Sequence, residues 1–451
     1  MEKIVIDGGK RLSGTVRASG AKNAALPILI ATLLAPGEHR LTNVPALADV
    51  SHTLSLLGRI GCPSLYSEPV QHPGAGALPG PDGVLRIDTS RIAFCEAPYD
   101  VVRKMRASVL ALGPLLARHG EARVSLPGGC AIGTRPIDQH LKGLEALGCR
   151  FTLEHGYVHG VAHDLRGADV HLDVPTVTGT ENILMAAVLA RGTTRIVNAA
   201  REPEVVDLAR YLTTLGARIE GAGESTIVVE GVPRLWPASR PYRILPDRIE
   251  TGTYLCAAAA TGGDVEVVDT DPELLGDVLK RLEDIGCTVE TTPRSIRVRR
   301  DGPLSPFSLS TEPFPGFPTD MQAQLMVLAC LAQGESEVVE QIFENRFMHA
   351  AELRRMGARI ETRGNRATVH GTGALTGASV MASDLRASAA LVLAGLAAEG
   401  LTEVLRIYHL DRGYEDMVGK MRSLGAAIGR VADHVHDPEA LRLATQAREV
   451  A

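Results

Sequence analysis

The sequence predicts an α/β protein of two domains, assembled from six copies of one module taken three and three. Three observations point there. A chain of 451 residues exceeds what one hydrophobic core usually supports, so two domains are expected. A helix ending in an apolar residue, then Gly, then Ala or Cys, recurs at Gly61, Gly148, Gly216, Gly286, Gly357 and Gly425, which lie 87, 68, 70, 71 and 68 residues apart. A second glycine precedes each of these (Gly37, Gly120, Gly192, Gly262, Gly334 and Gly400) by 24, 28, 24, 24, 23 and 25 residues.

Each module reads in the same order. The earlier glycine ends a helix rich in Ala and Leu, where a left-handed cap favours a residue without Cβ. A short β run follows, as at Arg123-Val124-Ser125-Leu126, Arg195-Ile196-Val197, Val265-Glu266-Val267-Val268 and Glu337-Val338-Val339. A loop then leads into an amphipathic helix, such as that carrying Leu275, Val278, Leu282 and Ile285 at helical spacing. The later glycine caps that helix and a strand pair begins. Residues 236–247, with three prolines, separate the third module from the fourth and suit a crossing between domains.

Composition excludes several classes. Charged residues make up 22% and hydrophobic ones 45%, which is ordinary for a folded soluble chain. Net charge is −6 and aromatics are 4%, a poor basis for a nucleic-acid partner. The longest apolar stretches, such as residues 387–398, run about a dozen residues and fall short of the ~20 residues that cross a bilayer. Cys62, Cys95, Cys130, Cys149, Cys256, Cys287 and Cys330 are scattered, with neither a Cys-x-x-Cys pair nor a His-rich cluster. A reducing, cytoplasmic setting without a structural metal fits them.

Polar groups interrupt the apolar pattern at a few loops. The richest is PGGCAIGTRPID at 127–138, between a strand and a helix. Its glycines allow close approach to a ligand, and the helix start offers free N–H groups. Cys130 stands five residues from Arg135, a neighbour that favours a reactive thiolate, although an inert loop thiol also fits. Lys22, Arg106, Arg346, Arg386 and Arg412 occur among small or apolar residues, Arg106 on an expected helix whose apolar face reads Val102, Met105, Val109, Leu112 and Leu116. Singly, each suits a solvated surface; together they suit a small, highly charged anion, because guanidinium offers paired donors to carboxylate and phosphate. Asp320 opens an apolar helix, where it reads either as an N-cap or as a general base. No dinucleotide or Walker-type phosphate loop is present.

The stretches GAKNAALP at 20–27, MRAS at 105–108, LPGGCAIG at 126–133, LPDRIETG at 245–252, PTDMQ at 318–322, ENRFMH at 344–349 and YHLDRGY at 408–414 resemble one family of enolpyruvyl transferases. These are the UDP-N-acetylglucosamine 1-carboxyvinyltransferases, which act at the first committed step of bacterial peptidoglycan synthesis. The resemblance spans roughly residues 1 to 430. The related 5-enolpyruvylshikimate-3-phosphate synthases share the fold but lack the cysteine loop.

The resemblance implies an inside-out α/β barrel, with three βαβαββ units in each of two domains, residues 22–245 and residues 1–21 with 246–451. It implies transfer of the enolpyruvyl group of phosphoenolpyruvate to the 3′-hydroxyl of UDP-N-acetylglucosamine, with phosphate released and no cofactor. Lys22, Arg135 and Arg412 would hold the phosphate, and Arg346 and Arg386 the carboxylate. Cys130 would protonate the methylene carbon and be the target of fosfomycin, while Asp320 would take the acceptor's proton. The nucleotide sugar would meet Asn23, Arg106, Arg135, Pro136, Ile137, Asp138, Gln139, Pro175, Thr176, Val177, Thr178, Asp320 and Ile342. Thr178 departs from the family, in which many members have glycine there. No obligate protein partner is evident. Two rival readings are a paralogue using another nucleotide acceptor and a catalytically silent nucleotide-sugar binder.

Overall fold

In the computed structural model, residues 2–66, 69–72, 76–79, 83–102, 105–126 and 136–446 are described. They fall into two units: residues 20–126 with 136–245, and residues 2–19 with 246–446. The chain passes between them after Ser19 and after Leu245.

Each unit carries three four-stranded mixed sheets with a single pairing rule. An edge strand pairs in parallel with the second, the second runs antiparallel to the third, and the third antiparallel to the fourth. In the first unit, Asp169–His171 lies parallel to Thr193–Val197, which is antiparallel to Thr226–Glu230, itself antiparallel to Arg218–Glu220. The sheet of Glu96–Ala97, Glu121–Ser125, Tyr157–Val161 and Arg150–Glu154 obeys the same rule. A parallel edge strand needs a crossover helix, whereas an antiparallel pair needs only a turn. One sheet in the first unit and two in the second are completed by a strand from a distant part of that unit's chain. Tyr242–Arg243 supplies the parallel edge beside Glu38–Thr42, and Ser13–Arg17 the edge beside Asp264–Val268. Glu2–Asp7 enters between Leu401–Leu405 and Ile428–Ala432.

The helices are of two kinds. Lys22–Ala31, Leu112–His119 and Val177–Ala187 in the first unit, and Arg248–Thr261, Gln322–Leu331 and Leu385–Ala397 in the second, are buried almost all round. Apolar and small residues cover every face of these helices, the pattern of a helix enclosed in a core. Within each unit they pack on one another. Gly113 shows how closely: a Cβ there would stand 2.4 Å from the carbonyl oxygen of Asn182 on the neighbouring helix. Helices such as Ala48–Ile60 and Pro203–Thr214 instead bury one face and are amphipathic.

The later glycine of all six repeats takes a left-handed conformation, with φ of 101°, 101°, 105°, 102°, 90° and 94°. That region disfavours a side chain, which explains the recurrence. Two expectations need correction. Of the earlier glycines only Gly120 and Gly262 are helix C-caps; Gly334 is already inside the strand Gln333–Val339. The apolar face through Val102, Met105, Val109 and Leu116 does not form one helix. It is divided among Tyr99–Val102, a 3₁₀ turn at Arg106–Ala111 and the helix Leu112–His119. No helix among the described residues is long and apolar enough to cross a membrane.

Candidate functional site

Most of the residues singled out in the sequence occupy one topological position, the segment that leads from a strand into a helix. Lys22 and Asn23 open the first buried helix, Arg106 opens a 3₁₀ turn, and Thr176 caps the helix Val177–Ala187. In the second unit Asp320 lies on the 3₁₀ turn Thr319–Met321 that opens Gln322–Leu331, and Arg386 is in the first turn of Leu385–Ala397. Such helix starts carry partial positive charge, which suits anionic ligands, although side chains of Thr176 and Asp384 already cap two of them.

The second unit brings Asp320, Arg346 and Arg386 together. Arg346 donates from Nη2 to Asp320 Oδ1 at 2.7 Å. Arg386 donates from Nε and Nη2 to Asp320 Oδ2 at 3.1 and 2.9 Å. The arginine side chains are 6% and 3% exposed and the aspartate is 25% exposed, so the carboxylate is the solvent-facing end of a buried cationic pair. The N-cap reading of Asp320 fails, because both carboxylate oxygens are held by guanidinium groups and the cap has no side-chain bond. Asp384 is the true cap of the Arg386 helix, accepting from the N–H groups of Arg386 and Ala387.

Arg386 is packed over Tyr414, with its guanidinium carbon 5.4 Å from the ring centroid. Burial opposes its charge, but the Asp320 carboxylate overrides this and holds its pKa above the ordinary value. The Tyr414 hydroxyl also helps to hold that charge, and among the described residues Nη1 is buried without a hydrogen-bond partner of close geometry. Such a donor is costly unless something accepts from it. Gln324 and Thr253 hydrogen-bond the Tyr414 hydroxyl and fix the ring from behind. Arg412 ends the 3₁₀ turn Ile407–Arg412, two residues before Tyr414, and is half-buried. His349 is fully buried beside this group, and burial, aided by Arg346, lowers its pKa to about 4.

In the first unit Lys22 faces Asp49, with Nζ 3.8 Å from Oδ2. Side-chain hydrogen bonds tie two segments expected to meet the nucleotide sugar. Gln139 receives the N–H of Asp173 at 2.9 Å and donates to its carboxylate at 3.0 Å. His140 Nε2 lies 3.2 Å from Thr178 Oγ1, and its Nδ1 lies 3.0 Å from Asn182 Nδ2. Because Asn182 Oδ1 accepts from Gly113 N–H, its amide donates to Nδ1, and the histidine proton therefore resides on Nε2 and points at Thr178. Pro136 and Ile137 precede the helix Asp138–Ala146, and Pro175 is exposed ahead of the Thr176 cap. Val177 is half-buried, as is Ile342 in the second unit.

Cys130 and Arg135 lie outside the described residues, as does the side chain of Arg106. The other cysteines are free thiols. Sequence reasoning missed Glu340, Asp49, His140 and Tyr414. Asp49 interrupts the apolar run of residues 44–50, whereas Glu340, His140 and Tyr414 stand beside other polar residues and give no such local signal. No cluster of metal-ligating side chains occurs among the described residues.

The fold is that of a class of group-transfer enzymes, the enolpyruvyl transferases. The enolpyruvyl transferase NikO from Streptomyces tendae superposes with a TM-score of 0.83 at 27% identity, covering 95% of this chain and 99% of that one. EPSP synthase from Acinetobacter baumannii shares the fold, with a TM-score of 0.71 at 18% identity over 96% and 100% of the two chains. The chain belongs to the family described as EPSP synthase (3-phosphoshikimate 1-carboxyvinyltransferase), whose model matches residues 6–421. Within that family it is similar to proteins of narrower name. The UDP-N-acetylglucosamine 1-carboxyvinyltransferase of Trichlorobacter lovleyi is 54% identical over 96% of this chain and 100% of its own length. That of Sorangium cellulosum is 56% identical over 96% and 99%.

Proposed function

We propose that the protein transfers the enolpyruvyl group of phosphoenolpyruvate to the 3′-hydroxyl of UDP-N-acetylglucosamine, releasing phosphate and serving peptidoglycan synthesis. The observation that carries this reading is the Asp320 carboxylate gripped by Arg346 and Arg386, with Arg386 Nη1 buried and unpartnered among the described residues. The names of relatives at 52–56% identity over nearly the whole chain support the acceptor. We also read the six sheets as βαβαββ units, three to each inside-out α/β barrel, with domains at 22–245 and at 1–21 plus 246–451. A cytoplasmic location suits the scattered free thiols.

The chemistry follows from the groups present. Phosphoenolpyruvate is an enol ether with a phosphate and a carboxylate. Protonation of its methylene carbon by the Cys130 thiol makes the adjacent carbon electrophilic. The 3′-hydroxyl adds there and gives its proton to Asp320, forming a tetrahedral ketal. Loss of a methyl proton and departure of phosphate regenerate the double bond in the product. A carboxylate accepting from two arginines is fixed in direction, as a general base must be. Arg386 retains donors on Nη1 for the substrate carboxylate, and Lys22, Arg135 and Arg412 serve the phosphate. Fixed cations stabilise the tetrahedral ketal, which carries both a phosphate and a carboxylate, without reorganising. In this reading Cys130 would also form a covalent phospholactyl adduct and be alkylated by fosfomycin.

The test is phosphate release from phosphoenolpyruvate with a panel of acceptors. Release that requires UDP-N-acetylglucosamine supports the reading. Faster release with another nucleotide makes the protein a paralogue, and no release with any acceptor makes it a binding protein.

A further inference from the structure

We infer that Glu340 is a positioning residue for this reaction, acting through Thr319 on the pair formed by Arg346 and Asp320; the inference rests on the function proposed above. Glu340 follows the strand Gln333–Val339 and is 2% exposed, yet among the described residues no lysine or arginine pairs with it. Its carboxylate is spent on neutral donors from three segments. Oε1 accepts from Thr311 Oγ1 at 2.9 Å, Ile342 N–H at 2.9 Å and Phe343 N–H at 3.1 Å. Thr319 Oγ1 lies 3.0 Å from Oε1 and 2.9 Å from Oε2.

A buried carboxylate without a cation is a poor way to gain stability. What it supplies is direction. A hydroxyl has one proton and two lone pairs, so when Thr319 donates to Glu340 its lone pairs are left for other donors. One of them receives Arg346 Nη1 at 3.2 Å. Arg346 then donates from Nη2 to Asp320, the residue after Thr319. The same carboxylate holds the N–H groups of Ile342 and Phe343, so the turn bearing Asp320 and the loop running to Arg346 are anchored to one point. Glu340→Gln keeps the size of the side chain but replaces one acceptor oxygen by an amide donor: turned toward Ile342 and Phe343 it opposes their N–H groups, and turned toward Thr319 it takes a lone pair of the hydroxyl in competition with Arg346 Nη1.

The experiment compares wild type with Glu340→Gln, Thr319→Val, their double variant and Thr319→Ser, using steady-state kinetics with both substrates. Thermal melts run alongside, and Thr319→Val guards against a Glu340 variant that does not fold. If Glu340 acts through Thr319, each single loss lowers kcat/KM for UDP-N-acetylglucosamine by roughly tenfold or more, while the double variant is within about threefold of the worse single. Thr319→Ser, which keeps the hydroxyl, should stay within about threefold of wild type. Losses that multiply, or a fully active Glu340→Gln, would overturn the inference. A crystal structure of Glu340→Gln decides it independently of turnover: a displaced Arg346–Asp320 contact supports positioning, and an unchanged one refutes it. Wild type that releases no phosphate would sink the proposed function instead, leaving that structure to judge Glu340.

Discussion

Replacing Asp320 by asparagine separates what the carboxylate does for stability from what it does for chemistry. In the native site one anion faces two guanidinium groups whose side chains are 6% and 3% exposed. Asparagine leaves both cations buried, and its amide can accept from one arginine only while turning N–H groups toward the other. Removing one partner of a buried ion pair costs roughly 3–5 kcal/mol. Because Asp320 itself is 25% exposed, water recovers part of this, and a loss of about 2–4 kcal/mol is expected. For a domain of this size that lowers the melting temperature by about 5–15 °C. In the general-base role proposed above, Asp320 should also contribute about 10²–10⁴ in kcat. Adding Arg346→Met removes one stranded cation, so the double variant should melt above Asp320→Asn while remaining inactive. The assays are thermal unfolding and phosphate release. A single variant that melts within about 1 °C of wild type would refute the electrostatic reasoning, and one that turns over within about threefold would refute the base.

Burial raises the pKa of Cys62 and Cys287 to about 11 and of Cys149 and Cys330 to about 12, and it also raises Cys256 and Cys95. Fosfomycin at neutral pH should therefore add once, at Cys130; intact mass showing no adduct on active enzyme, or several, contradicts this. The Asp207 carboxyl is pushed up to about 6, burial outweighing the bonds from Tyr242 and Leu245. Its folded pKa exceeds the unfolded value, so its contribution is present in acid and is lost as pH rises through about 6. Relative to wild type, Asp207→Asn should gain about 2–3 kcal/mol between pH 4 and 7 in urea unfolding; a constant difference refutes the shift. Glu250, 2% exposed, accepts from Lys420 at 2.7 Å and from Ser19 N–H. Lys420→Met should cost about 3–5 kcal/mol, and adding Glu250→Gln should restore part of it. Equal stability of the single and double variants would count against a stranded charge.

The repeat was legible because each module spends a glycine on the same left-handed turn, and backbone sterics are a local property. The strand runs were legible for a similar reason, since β-branched residues mark them wherever they fall. The division of residues 102–116 was not, because an apolar stripe does not distinguish one helix from a 3₁₀ turn followed by a helix. The role of Asp320 was equally closed to local reading. Its partners stand 26 and 66 residues away and are brought in by the start of two other helices. Glu340 carried no signal at all, being a single glutamate at a strand end until the fold set Thr311, Thr319 and Ile342 around it.

The central claim is addition of the acceptor to a protonated enol ether, followed by elimination, and running the reaction in deuterium oxide tests it most directly. A transient methyl group takes up a solvent deuteron and loses one of its three hydrogens. The account predicts that UDP-N-acetylglucosamine becomes a heavier enolpyruvyl ether with deuterium in its methylene group, with one phosphate released per product. An unlabelled methylene, or no new ether at all, would contradict it.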